Sequence, residues 1–474
     1  MSRNLLHLFL AVSLIFALVS CASFPINPDL TQYDPAKGYR FDNLKPGHNN
    51  TDSLFVVVAF SGGGTRAASF SYGVLEALRD TEIEWKGEKK RLLDEVDIIS
   101  SVSGGSFTAA YFALYRDRIF EGSYERNFLK KDIQKALFYE LLSPGNWFKL
   151  AGASYGRSDL AAEYYHSHIF GESTFRKLID KSTRPFLMLN ATDMTTGSQF
   201  PFIQDQFDLI CSDLGDLPVA RAVAASSAFP GLLTPLTFKN YAGECRYHEP
   251  RWVGFGFDDR DIAPERANHA EDRRSYYMRQ EWESERNFIH LIDGGVADNL
   301  GLRAILFAME TSDPAYSIQR RINQKSIEKL VIIVVNAATD LQSERDRKPS
   351  VPSLVDVLTT AATVPLDNYS FDTVNRVSSV VKEYDQSVQI RKRCNQILQD
   401  ATGTSLQGGN LYSVDLYLTH ITFDYIDDPK KRFKFKNLPT TFSLCSETVD
   451  SLTDMGQALL RHDKEFKRLL QELH

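Results

Sequence analysis

The chain has 474 residues, 43% of them hydrophobic, enough to bury a large core and too long for one small domain. Its formal net charge of −7 lacks the basic footprint of a nucleic-acid binder, so no nucleic-acid partner is expected and contact with lipid must rest on apolar surface more than on charge. No close cysteine and histidine spacing suggests zinc, so no metal and no cofactor are expected.

At the amino terminus, Arg3 precedes an apolar run from Leu5 to Val19 that ends in Leu18-Val19-Ser20-Cys21. A charged start, a short apolar stretch and small residues before a cut describe a secretory signal peptide over residues 1–20. The run is shorter than the ~20 apolar residues that a membrane span needs. A cysteine directly after Leu-Val-Ser resembles a bacterial lipoprotein box, which implies that Cys21 is lipidated and anchors the mature chain to a membrane. Ala22 follows in place of aspartate, which in that family implies an outer-membrane lipoprotein of the bacterial cell envelope. Residues 21–52, with Pro25, Pro28, Pro35 and Pro46, read as a lipidated tether. Export also favours disulfides, and the sequence-local pairs Cys211–Cys245 and Cys394–Cys445 are the expected bridges.

Residues 53–340 alternate strands with helical stretches. Strands are predicted over Leu54–Phe60, Val96–Ser100, Pro185–Asn190, Phe288–Ile292 and Leu330–Asn336, a pattern that argues a three-layer α/β/α body around a largely parallel sheet. The first strand runs into Ser61-Gly62-Gly63-Gly64-Thr65-Arg66-Ala67, after which Ala68–Asp80 reads as a helix, and such a loop offers backbone N–H groups to an anion. The second strand stops in Ser101-Val-Ser103-Gly104-Gly105 and helix-forming sequence follows, as at a nucleophile elbow with Ser103 at its tip. Farther on, Phe288-Ile-His-Leu-Ile-Asp-Gly-Gly295 ends a strand in Asp293, a carboxylate where α/β sheets place their chemistry.

These three elements, in this order, resemble the patatin-like phospholipases and the related catalytic domain of cytosolic phospholipase A enzymes. The resemblance implies an oxyanion hole built from Gly62, Gly63, Gly64 and Gly104, with Arg66 shaping the loop or meeting a phosphate headgroup. It also implies a Ser103–Asp293 dyad without histidine, and a lipid or phospholipid substrate. Ala222-Val-Ala-Ala-Ser-Ser-Ala-Phe-Pro-Gly231 looks like the family segment beside the elbow. Ser101 departs from the usual first glycine of the elbow, and Ala67 departs after the arginine; both are small, and they bear on turn geometry rather than chemistry.

His290 lies three residues before Asp293, an odd separation that puts the two on opposite faces of a strand, so Asp293 is expected to be the direct base. Asp298 is read as a helix cap, with Asn299 in a similar local role. Two other readings exist. Gly62-x-Gly64-x-x-Ala67 with Glu82 or Glu84 fits a dinucleotide fingerprint but leaves Ser103 and Asp293 unexplained. A non-catalytic envelope lipoprotein could keep the fold as a lipid-binding scaffold. Between Arg116 and Phe175, Pro144–Leu150 and Tyr164-Tyr165 are either a lipid-facing cap or buried aromatics, and burial is preferred. Arg246–Arg286 reads as a solvated insertion. Residues 341–474 form a C-terminal extension, with helices over Ser353–Val364, Phe371–Leu398 and Ser446–Leu473 and a strand over Leu411–Thr422.

Overall fold

The computed structural model describes residues 25–473 apart from 153, 259, 262–263, 279–285, 311–325, 340–348, 350, 352 and 405–413. Ten strands are described: β1 (Leu54–Phe60), β2 (Glu82–Trp85), β3 (Glu88–Arg91), β4 (Val96–Val102), β5 (Phe186–Asp193), β6 (Gln199–Pro201), β7 (Leu236–Lys239), β8 (Phe288–Asp293), β9 (Lys329–Asn336) and β10 (Asp415–Thr422). Eight form one sheet in the order β10-β9-β1-β4-β5-β8-β7, with β6 on β5. β10, β9, β1, β4 and β5 are parallel, and β8 and β6 run antiparallel to β5. The central strands are buried along their whole length, which is why Leu54–Phe60 and Leu330–Val335 read as continuous apolar runs instead of alternating.

Helices cover the sheet. The ones that bear on the site are α1 (Gly64–Asp80), α2 (Ser103–Tyr115), α3 (Ile133–Leu142), α4 (Pro144–Leu150), α5 (Arg157–His168), α6 (Val219–Ser226), α7 (Arg251–Asp258), α8 (Pro264–Tyr277), α9 (Gly295–Asp298), α10 (Leu354–Thr402), α11 (Ser446–His462) and α12 (Lys464–Leu473). α11 lies on α1 with their backbones almost touching where Gly73 meets Thr453 and Gly456 meets Phe70. The C-terminal region is therefore built into the body: it adds the edge strand β10 and covers α1.

Several expectations change. Residues 25–52 are no free tether, because the Asn27 amide donates to Ser212 Oγ (2.9 Å) and accepts from the Lys239 N–H (2.7 Å). Tyr39 is buried among Phe175 and Phe186, and Arg40 pairs with Asp205 and Asp208 at 2.5 and 2.6 Å. The Arg246–Arg286 insertion folds into α7 and α8, where Trp252 stacks on His269 and the Tyr276 hydroxyl donates to buried Asp193 (2.8 Å). Its charges had masked these apolar anchors. Where two C-terminal helices were expected, α10 runs unbroken for 49 residues through Pro365; a proline costs a helix a backbone bond without necessarily ending it. Conversely, the single helix expected over Ser446–Leu473 breaks at Asp463, which turns extended and caps α12 by accepting from the Phe466 N–H (2.9 Å).

Cys211 and Cys245 are joined by a disulfide, whereas Cys394 and Cys445 are free and exposed. The second expected pairing is not formed: Cys394 lies within α10 and Cys445 at the start of α11, each exposed with its thiol free. Cys21 and the signal segment lie outside the described residues. No described helix is long and apolar enough to cross a membrane.

Candidate active site

The site forms where β4 turns into α2. Ser103 sits at the tip with φ +49°, a left-handed conformation that costs a non-glycine residue energy and persists only when its surroundings enforce it. Those surroundings are hydroxyls. The Ser103 N–H donates to Ser226 Oγ (2.9 Å), and Ser226 Oγ donates to the Asn190 carbonyl (2.6 Å). Ser106 Oγ lies 3.0 Å from Ser226 Oγ and donates to Ser101 Oγ at 3.2 Å. The serine that replaces the first elbow glycine thus joins a buried network beneath the turn.

Register brings in the carboxylate. Val102 pairs with Asn190, and Asp293 pairs with Ala191, so Ser103 and Asp293 stand at nearly one height with β5 between them. Two strand spacings separate their backbones by on the order of 10 Å, a gap two converging side chains can close. They do: Ser103 Oγ donates to Asp293 Oδ2 at 2.8 Å. The strand carrying Asp293 runs antiparallel to β5, one of the exceptions in a largely parallel sheet. It still delivers Asp293 to the active edge, because β8 pairs with β5 only over Ala191–Asp193.

Both residues are buried. Asp293 Oδ1 accepts the Gly295 N–H (2.8 Å), and the Asp293 and Gly294 N–H groups bond to the Ala228 and Ser226 carbonyls. The segment from Ala222 to Gly231 therefore braces nucleophile and carboxylate together. Burial pushes the Asp293 carboxyl up to about 6, against the opposing pull of the Gly295 N–H and the Ser103 hydroxyl. His290 lies on the opposite face of β8, exposed, with Nδ1 3.1 Å from Thr237 Oγ1. Among the described residues no histidine bonds to Ser103 or Asp293.

The glycine loop lies against the elbow. A methyl group at Gly104 would collide with the Gly64 backbone, and one at Gly64, where φ is +59°, would strike the Thr441 carbonyl. None of the described hydrogen bonds engages the N–H groups of Gly63, Gly64 or Gly104. Gly62 differs from expectation: its N–H is already given to the Asn299 carbonyl (3.0 Å), so it shapes the loop and has no donor left for an oxyanion. Arg66 differs too. Its buried guanidinium donates to the carbonyls of Ala337 (2.9 Å) and Leu438 (2.6 Å) and to Thr440 Oγ1 (3.1 Å), so it staples α1 to distant segments and is not turned out to a headgroup.

Sequence reasoning missed the strap Leu438–Phe442. Its Thr441 carbonyl accepts the Thr65 N–H (2.9 Å), and the Phe442 ring packs 5.5 Å from Phe107 on α2. No local pattern marks it; only the fold brings it to the glycines. Ser226 was findable, lying in the segment already associated with the elbow. The dinucleotide reading fails on position: Glu82 and Glu84 are exposed on the separate β2–β3 ribbon, opposite Arg91 and Lys89. Asp298 is buried and accepts the Leu300 and Arg303 N–H groups, a local cap as expected.

A mostly parallel sheet with a serine elbow, a carboxylate in contact with it and a glycine loop alongside defines an α/β protein of hydrolase-like build. Residues 58–306, over half of the chain, match the patatin-like phospholipase family, and the chain belongs to that family. No curated protein matches it. Among solved structures, human GIVD cytosolic phospholipase A2 is 12% identical, with 89% of this chain and 60% of that chain covered and a TM-score of 0.44. The same human protein in complex with methyl gamma-linolenyl fluorophosphonate gives 11%, 89%, 59% and 0.39. VipD from Legionella pneumophila gives 11%, 86%, 67% and 0.28. The chain spans about three-fifths of the length of the human protein.

Proposed function

We propose that the protein is a serine acyl hydrolase acting on carboxylic esters of lipids, in the manner of a phospholipase A or lipid esterase, through a Ser103–Asp293 dyad. We further propose that lipid on Cys21 holds it at the outer membrane of a bacterial envelope. The observation that carries the first reading is the 2.8 Å hydrogen bond from the elbow serine to a buried carboxylate, with unengaged N–H groups beside it.

In this reading Asp293 takes the Ser103 proton as Oγ attacks the ester carbonyl carbon. The Gly63, Gly64 and Gly104 N–H groups receive the oxyanion, each worth ~3 kcal/mol in transition-state stabilisation. Collapse breaks the C–O bond, and the leaving alcohol takes its proton from Asp293. Water then attacks the acyl-serine with Asp293 again as base, releasing the fatty acid and restoring Ser103. A carboxyl raised to about 6 suits that duty, since it is largely ionised at neutral pH yet more basic than a free aspartate.

Lipid product analysis tests this. Phospholipid incubated with the protein should yield free fatty acid and the matching lysolipid. Ser103→Ala should abolish both, and Asp293→Asn should slow turnover by at least ~100-fold. Undiminished fatty-acid release by folded Ser103→Ala protein would refute the reading.

A further inference from the structure

α3 is apolar on two faces. Ile133, Ala136 and Leu137 pack against the core. Lys135, Phe138, Tyr139 and Leu142 follow the i, i+3, i+4, i+7 spacing of a single outward stripe, where water-facing helices carry polar residues. α4 continues this surface with Trp147 and Phe148, and the five apolar side chains of the hairpin are 51–59% exposed. Scattered exposed apolar residues are ordinary; five on one short hairpin mark an interaction face.

We propose that the α3–α4 hairpin is the face that docks on an anionic lipid surface, an inference that rests on the lipid acyl hydrolase reading. Two polar side chains of α4, those of Trp147 and Asn146, are already paired within the hairpin. Trp147 Nε1 donates to the Leu141 carbonyl (2.9 Å), and the Asn146 amide donates to the Glu140 carbonyl (2.9 Å) and carboxylate (3.1 Å). Entering a low-dielectric medium therefore strands none of these donors, the condition that apolar immersion sets. Tryptophan and tyrosine are the side chains that favour the boundary between acyl chains and water.

Charge favours a lipid partner bearing negative headgroups. In a chain of net charge −7, residues 130–157 carry five cations (Lys130, Lys131, Lys135, Lys149 and Arg157) against Asp132 and Glu140. Lys130 and Lys149 pair with acidic neighbours, but Lys131 and Lys135 stand over the rings of Tyr164 and Tyr139, 5.6 and 5.9 Å from their centroids, with no ion pair among the described residues. Long lysine stems reach outward from such positions to headgroup level, and each adds attraction to an anionic leaflet. The hairpin is rooted beside the site. The Ile133 N–H donates to the Phe442 carbonyl (3.1 Å) and Gln134 Oε1 accepts from Thr441 Oγ1 (2.7 Å), while the Thr441 carbonyl holds Thr65 beside the glycine loop.

Full-length protein bound to vesicles of phosphatidylcholine and phosphatidylglycerol with brominated acyl chains tests the docking without turnover. The fluorescence of wild type minus that of Trp147→Phe isolates the Trp147 signal, which should be quenched at least about twofold by the brominated lipid and shielded from iodide. Phe138→Ser, Trp147→Ser and Phe148→Ser combined should slow vesicle-phospholipid hydrolysis by about tenfold, while a soluble short-chain ester is hydrolysed within about twofold of wild type. An unquenched, iodide-accessible Trp147 on vesicles would overturn the proposal, as would sedimentation showing self-association that shields Trp147 without lipid. Quenching that persists while Ser103→Ala hydrolyses lipid like wild type would uphold the docking face and remove the Ser103 reading instead.

Discussion

Asp293 carries opposed demands. Its carboxyl is raised to about 6, above the ~4 of an unfolded aspartate, so the native state holds that proton more firmly than the unfolded state. The cost to folding is absent below pH 4, grows as pH rises through 6 and is complete above it. Asp293→Asn should therefore stabilise the protein by about 2–3 kcal/mol at pH 8 and by little at pH 4, measured by urea unfolding. Activity should run the other way in the wild type, with kcat/KM falling about tenfold per pH unit below 6, as the base is lost. A flat profile between pH 4.5 and 7 would assign the proton transfer elsewhere. Ser103 and Asp293 were legible in the sequence because each ends an apolar strand in glycines. The direction of β8 was not, since neither strand order nor sense is written in a strand's own composition.

At the scale of elements, the strap Leu438–Phe442 and Arg66 hold the start of α1, and with it the glycine donors. Arg66→Ala should lower kcat by about tenfold or more and leave KM within about threefold, because the loop loses its brace while no substrate contact is removed. A raised KM with unchanged kcat would return the guanidinium to a headgroup role. The strands Leu54–Phe60 and Leu330–Asn336 were readable from apolar runs rich in β-branched residues, as in a doubly covered sheet. The strap was unreadable, because its contacts join residues more than 300 positions apart. Of the aromatics expected to be buried, Tyr164 and Tyr165 are, whereas Trp147 and Phe148 are exposed: hydrophobicity alone does not say which apolar helix faces remain uncovered.

Across the whole molecule, segments that look peripheral in sequence are structural. Residues after the amino terminus run over the Cys211–Cys245 bridge, where the Leu30 and Tyr33 N–H groups bond to the carbonyls of the two cysteines (both 2.8 Å). Were Cys21 lipidated, few residues would separate the lipid from the docked segment, and at ~3.5 Å per extended residue the body would stay close to the bilayer. At the other end, β10 pairs with β9 over its full length and α11 covers α1. A chain ending at residue 340 should expose the β9 edge and an apolar helix face, and be insoluble or lack near-UV circular dichroism. A soluble, cooperatively unfolding product would show that the first 340 residues stand alone.

The central claim, that Ser103 is a nucleophile activated by Asp293, is tested most directly by mapping the adduct of a lipid-like fluorophosphonate by peptide mass spectrometry. The account predicts one phosphonylated residue, Ser103, with labelling absent in Ser103→Ala and slowed at least ~100-fold in Asp293→Asn. Labelling at another serine, or at an undiminished rate in folded Asp293→Asn protein, would contradict it.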